Sequence, residues 1–217
     1  MEPMSYFLSF ARLAPVQCVS FGHPDTTGVP NMDWFVSASA FEPPEGASHY
    51  SERLHVISGV GTLAFYHRPA LAGAARPRAH FGLDDEARVY LCPQAAFKFH
   101  PDFDAMLARL LREDRRGVLV LVDAVPAWGR LLRARLERAL GEDARHVRWL
   151  PAMSGDEFLS LVACADVMLD TPHFNGMNST LEAFAMGTPV VTWPRMLQRG
   201  RHGLGLLAHA GLEDCIA

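Results

Sequence analysis

The chain has 217 residues, of which 49% are apolar and 20% charged, the balance of an ordinary globular protein and not of a disordered one; that length holds one large domain or two small ones. A net charge of −4 gives no electrostatic reason to expect nucleic acid as a partner. No apolar run reaches the ~18 residues that a membrane span needs, and no basic stretch leads into a long apolar core, so neither a membrane segment nor a signal peptide is expected.

Residues 1–68 are irregular. Segments 16–21, 34–37 and 54–57 read as short strands between loops rich in glycine and proline, and few helices are at hand to cover them, so 1–68 reads as a partial N-terminal lobe. Residues 69–87, with Pro69, Gly73, Pro77 and Gly82 among small residues, read as a connector. From 88 onward strand and helix alternate. Residues 89–92 are a short apolar strand, and Pro101 opens a helix over 101–114 on which Phe103, Met106, Leu107, Leu110 and Leu111 share a face. Residues 118–122 are an unbroken run of valine and leucine, the pattern of a strand buried on both sides. A second amphipathic helix covers 128–140 and stops at Gly141; 146–150 is a third strand. Ser154 with Glu157 three residues on is a capping box for a helix through 163. A strand at 166–169, a helix at 178–185 and a strand at 189–192 complete the series. The alternation predicts an α/β fold, a Rossmann-like parallel sheet with helices on both faces, over 88–217.

Arginines 109, 112, 115, 116, 130, 133, 135 and 138 resemble a basic patch, but acidic residues are interleaved and the helical spacing sets them opposite the apolar face, so they read as solvated helix surface. Cys18, Cys92, Cys164 and Cys215 form no C-x-x-C pair, which argues against a zinc site or a disulfide framework and fits a reducing cytoplasm. The preference for arginine over lysine and the abundant alanine point to a GC-rich, bacterial coding genome.

That preference makes one position informative. Lys98 is the only lysine, against nineteen arginines. It sits between the strand ending at Cys92 and the helix opened by Pro101, where a compact ammonium ahead of a helix N-terminus suits a phosphate. A second loop matches it. After the strand ending at Leu169 the chain turns through Asn175-Gly176, and a helix begins near Asn178. Ligands of parallel α/β sheets bind at the carboxyl ends of the strands. The free N–H groups of a new helix suit a diphosphate, Asn178, Ser179 and Thr180 can add side-chain donors, and Glu182 one turn on can accept from ribose hydroxyls. The structural alternative is that Asn178 and Ser179 only cap the helix and Glu182 only balances its dipole. Asp102-Phe103-Asp104 is a D-x-D, a pattern that elsewhere binds a metal–nucleotide complex, but it lies in the first turn of a helix, where carboxylates are expected on dipole grounds, and it reads as structural. Ten histidines are scattered without metal spacing, and His100, beside Pro101, reads as a helix-start residue. No G-x-S-x-G, Walker or G-x-G-x-x-G motif is present.

Cys92-Pro93-Gln94, Phe97-Lys98-Phe99-His100-Pro101, Ala165-Asp166-Val167-Met168-Leu169-Asp170-Thr171-Pro172, Asn175-Gly176 and Gly187-Thr188-Pro189-Val190-Val191 resemble the O-linked N-acetylglucosamine transferase and SPINDLY family, in particular its bacterial members. Leu13-Ala14-Pro15-Val16-Gln17, Gly22-His23-Pro24, Thr26-Thr27-Gly28 and Tyr50-Ser51-Glu52-Arg53-Leu54 extend the likeness over nearly the whole chain, in order. The resemblance implies a GT-B fold, two Rossmann-like lobes with a nucleotide-diphosphate sugar in the cleft. It implies inverting transfer of the sugar to a serine or threonine of a protein acceptor, with no metal or other cofactor, because a lysine and a helix dipole stabilise the leaving diphosphate. Lys98 falls on that lysine. Gly176, Met177, Asn178 and Ser179 fall on the loop and helix start that hold the diphosphate, and Glu182 on the ribose carboxylate. Met177 stands where the animal enzymes carry a histidine, and Phe158 and Leu161 where they carry His and Arg, so the sugar and the base of the donor stay open. The family's candidate bases lie upstream; within this chain His23 is the candidate, against a structural reading of a loop histidine beside Pro24. The helical-repeat array is absent and the chain stops at Ala217 before the family's closing helices, as in a fragment or a reduced paralogue. Two alternatives stand beside the transferase: a catalytically incompetent nucleotide-sugar-binding module, and a GT-B-type sugar-nucleotide epimerase.

Overall fold

A computed structural model describes residues 3–217. Helix α1 (Pro3–Ser9) buries none of its residues. Three short runs with β-branched and aromatic residues then pair in parallel, β1 (Cys18–Ser20), β2 (Trp34–Ala38) and β3 (Arg53–Ile57), in that spatial order. Phe35 and Ala38 of the central strand are fully buried. Between 58 and 87 there is no strand, but Arg78–Phe81 forms a 3-10 turn that buries Phe81 against the sheet that follows.

The second sheet contains β4 (Arg88–Cys92), β5 (Gly117–Asp123), β6 (Val147–Pro151), β7 (Val167–Leu169) and β8 (Val190–Val191), all parallel, in the order β6-β5-β4-β7-β8. The helices are α2 (Pro101–Glu113), α3 (Pro126–Leu140), α4 (Gly155–Cys164), α5 (Asn178–Met186) and α6 (His202–His209). The valine–leucine run of β5 dictates covering on both sides. Leu119 and Leu121 enter one core with Phe103, Leu107 and Leu111 of α2 and Leu132, Leu136 and Leu140 of α3. Val120 enters the other with Leu161 and Val162 of α4 and Ala183 of α5. The alternation along each strand therefore feeds two layers of helix, as the sequence predicts.

Most boundaries fall within two residues of expectation, and the capping box is formed: Ser154 Oγ accepts from Glu157 N at 3.3 Å while Glu157 Oε2 accepts from Ser154 N at 3.1 Å. Helices α1 and α6 were not expected. Helix α6 packs Leu206 with Ala38, Phe41 and Val60 and so joins the first sheet to the second. Among the described residues no helix is long and apolar enough to cross a membrane.

Candidate functional site

Strands β4 and β7 are hydrogen-bonded neighbours, Leu91 opposite Met168, yet α2 leaves β4 toward one face and α5 leaves β7 toward the other. The loops after the two strands must therefore diverge, and a crevice opens between them at the carboxyl edge of the sheet. That is the switch point at which doubly wound sheets take ligands.

Lys98 bridges this crevice. Its ammonium donates to Gln94 Oε1 on its own loop and to the Asn175 carbonyl on the other, each at 2.9 Å. Gln94 in turn donates from Nε2 to Ser179 Oγ at 2.7 Å. Both acceptors of Lys98 are neutral, so the charge is oriented without being cancelled by contact, and among the described residues one of its three N–H groups is left. The ammonium also lies 4.7 Å from the centre of the Phe174 ring. Burial pulls its pKa below the ordinary lysine value, and the charge of Asp170 pulls it back up.

Asp170 anchors the second loop. It is buried, accepts the Gly176 N–H at 2.7 Å through Oδ1 and the Thr192 hydroxyl at 3.0 Å through Oδ2. Burial pushes its carboxyl up to about 7, against those two hydrogen bonds and the charge of Lys98. Asn175 is locked beside it, donating to the Thr171 carbonyl at 2.7 Å and accepting the Gly203 N–H at 3.1 Å. Gly176 leaves room for the Gln94–Ser179 hydrogen bond: a Cβ there would lie 2.3 Å from both Gln94 Nε2 and Ser179 Oγ and would force that pair apart.

Helix α5 starts at Asn178 with Met177 as N-cap, and no side chain caps it. The capping role open to Asn178 and Ser179 in the sequence is thus not taken up, and the first-turn N–H groups are left for a ligand or water. Lys98, Phe174, Asn175, Met177, Asn178 and Ser179 line a cleft of about 390 Å³ together with Phe21, Gly22 and Pro24 from the loop after β1 and with His202.

His202 was not singled out in the sequence, where a histidine among glycines gives no signal. It is 2% exposed, meets the Phe41 ring edge-on at 5.1 Å, and its Nε2 has no hydrogen-bond partner among the described residues. Burial first, and then the charge of Lys98, pull its pKa down to about 3. Gln94 and Asp170 were likewise outside the expected set of site residues. His23 is flanked by the lining residues Gly22 and Pro24 but does not itself line the cleft; burial lowers its pKa. Glu182, half-buried one turn into α5, also stays off the lining and makes no hydrogen bond or ion pair among the described residues, and burial raises its pKa. Leu161 is fully buried in the core beneath α4, with Phe158 packed against the same core.

The D-x-D divides. Asp104 is buried and paired with Arg135 at 2.9 Å, whereas Asp102 is exposed beside the cleft. His100 caps α2, its Nδ1 accepting the Asp102 N–H at 3.2 Å, which is the helix-start role expected of it. The histidines lack metal spacing along the chain, but the fold brings His100, Asp102 and His173 together, with donor atoms all within 4.8 Å of one another. All four cysteines are free.

The family model described as glycosyl transferase family 41 matches residues 72–217. The probable UDP-N-acetylglucosamine–peptide N-acetylglucosaminyltransferase SPINDLY of Arabidopsis thaliana is 28% identical over 211 residues, covering 95% of this chain and 22% of its own length. The relative named SEC from the same plant is 25% identical over 185 residues, 83% of this chain and 19% of its own. A point mutant of the O-GlcNAc transferase of Thermobaculum terrenum superposes with a TM-score of 0.79 at 29% identity, over 95% of this chain and 38% of that one. The trehalose-6-phosphate synthase OtsA, at 14% identity and a TM-score of 0.51 over 85% of this chain and 56% of that one, shares the fold alone. The fold is that of the GT-B glycosyltransferases. The chain spans 19–22% of the length of these curated relatives.

Proposed function

This chain belongs to glycosyl transferase family 41, and from that membership we propose that its cleft is the donor site of a protein-modifying transferase. The cleft takes the diphosphate of a UDP-sugar, UDP-N-acetylglucosamine in the first instance, since that donor is in the names of the relatives. The acceptor is a serine or threonine hydroxyl of a protein. Its oxygen attacks the anomeric carbon with inversion, the bond from that carbon to the β-phosphate oxygen breaks, UDP leaves with the electron pair, and the hydroxyl proton passes to a base.

The observation that carries this reading is the placement of Lys98, at the switch point and with an N–H to spare. A charge-assisted hydrogen bond from it to a phosphate oxygen contributes about 1.5–3 kcal/mol. The open first turn of α5, with Asn178 and Ser179, takes further phosphate oxygens. Gly176 lets the backbone approach, Met177 packs against the ligand, and Glu182 accepts from the ribose. The unpartnered Nε2 of His202 supplies one more contact. Negative charge on the leaving group is met by lysine and helix terminus, so this step requires no metal. Residues 88–217 form the donor lobe in this reading, 1–68 part of the facing lobe, and 69–87 the connector. The four free cysteines fit a reducing, cytoplasmic setting.

A second reading, binding without transfer, is favoured by one fact: among the described residues no carboxylate lines the cleft, and the imidazole that does, His202, has its affinity for a proton lowered by burial. His23, whose pKa burial lowers, is the remaining candidate base. Membership of the transferase family sets the epimerase aside.

Thermal denaturation with a nucleotide panel tests the donor site. UDP at 100 times its Kd is expected to stabilise the folded chain by about 2.7 kcal/mol, and GDP less. No shift with either nucleotide in a folded sample removes the donor-site reading. A shift without sugar transfer to acceptor peptides selects the second reading.

A further inference from the structure

The loops after β4 and β7 meet a second time, beside the cleft. His100 and Asp102 come from the start of α2, and His173 from the turn that leads to Asn175. We propose that His100, Asp102 and His173 bind one divalent ion of the zinc class. Two imidazole nitrogens and one carboxylate oxygen are a donor set for Zn²⁺, Co²⁺ or Ni²⁺, whereas Mg²⁺ and Ca²⁺ take oxygen ligands.

The spacing fits. Bonds of about 2.1 Å at angles between right and tetrahedral set neighbouring donor atoms roughly 3.0–3.4 Å apart. Asp102 Oδ2 lies 2.9 Å from His173 Nε2 and 3.3 Å from His100 Nδ1. The third edge, between the two imidazole nitrogens, is at most 4.8 Å; the rings are in contact, with centroids 4.1 Å apart, and the side chains are 30–47% exposed and so have room to turn toward one ion.

Three features oppose the ion. The Nδ1 lone pair of His100 accepts the Asp102 N–H, a hydrogen bond that coordination displaces. The hydrogen bond between His173 Nε2 and Asp102 Oδ2 at 2.9 Å is displaced as well, since both atoms become ligands. Arg195 lies 3.6 Å from Asp102 and is the competing cation. Three ligands outweigh two displaced hydrogen bonds and one long, exposed ion pair. The two backbone segments that deliver the ligands are themselves pinned: Thr171 Oγ1 donates to the Phe174 carbonyl at 2.6 Å, and α2 is packed into the core through Phe103 and Leu107.

The ion ties together the two loops that carry Lys98 and Asn175, each two residues from a ligand. It is a staple beside the cleft and takes no part in the transfer step, and it stands whether or not the nucleotide is UDP.

Calorimetric titration of the chelator-treated chain with Zn²⁺, and of a parallel sample with Co²⁺ followed by its visible absorption, tests the site. The variants are His173→Asn and His100→Asn, the second chosen because asparagine keeps a good N-cap, with Cys18→Ser and His209→Asn as controls for other surface ligands. One equivalent is expected to bind, with at least a tenfold loss in both ligand variants, since loss of even an outer partner costs 10–100-fold, and with no loss in either control. Absence of a bound equivalent in the unmodified chain, affinity within tenfold in either ligand variant, or equal loss in a control overturns the proposal. Circular dichroism confirms that each variant is folded.

Discussion

Asp170 is buried off the lining of the cleft but close enough for its carboxyl and the Lys98 ammonium each to shift the other toward the charged form, and His202 is held toward its neutral form by burial first and then by that ammonium. These groups give stability two opposing dependences on pH. Asp170, with its pKa raised from 3.8 to about 7, holds a proton in the folded state that the unfolded chain has released, so between those values its contribution grows as pH falls. His202, lowered from 6.5 to about 3, refuses a proton that the unfolded chain takes up, so its contribution is lost as pH falls through 6.5. The two offset each other where their windows overlap. His202→Gln removes one of them, and its stability relative to the unmodified chain is expected to rise on acidification by about 1.4 kcal/mol per pH unit between pH 6 and 4.5. Urea unfolding at both pH values measures this, and parallel slopes would contradict the burial argument. Lys98 was legible in the sequence because one lysine among nineteen arginines stands out beside a strand end. Gln94, Asp170 and His202 were not, since their roles exist only where loops far apart in sequence meet.

Helix α6 shows at the level of elements why part of the fold was hidden. Two of its eight residues are glycine, which lowers helix propensity and reads as loop. Both are there because the helix is pressed against its neighbours. A Cβ on Gly203 would lie 2.5 Å from Thr192 Oγ1 and 2.6 Å from Asp170 Oδ2, and one on Gly205 would lie 2.6 Å from the Ala40 carbonyl and from the Phe41 ring. Tertiary packing overrides propensity, and a single sequence does not reveal what the helix packs against. Gly203→Ala is expected to cost about 1–3 kcal/mol, because Thr192 and Asp170 are bonded to each other and cannot both withdraw. Gly73→Ala, with nothing within 4 Å and no left-handed φ, is the control and should stay within about 0.5 kcal/mol. Equal urea midpoints for the two variants would refute this account of α6. The βα alternation from 88 onward was legible for the opposite reason: its strands and helices carry their burial in their own periodicity. Helix α1, which buries nothing, carries no such pattern.

At the scale of the whole molecule, the two sheets are joined across the cleft. Arg199 pairs with Asp25 at 2.5 Å, Gln198 donates to Ser37 Oγ at 3.3 Å, and Arg201 donates to the Phe41 carbonyl at 3.1 Å, around the apolar contact of Leu206 with Phe41 and Val60. The Arg199–Asp25 pair is more than a third exposed and contributes at most about 1 kcal/mol; burial of the apolar cluster contributes the larger share of the join between the two sheets. The central claim is that the Lys98 ammonium clamps the diphosphate of the donor. Calorimetric titration of UDP into the unmodified chain and into Lys98→Met, which keeps the length and packing of the side chain without its charge, tests this most directly. Binding 10- to 100-fold weaker in the variant, the equivalent of about 1.5–3 kcal/mol, is the result expected; equal affinity in the two folded proteins would contradict it.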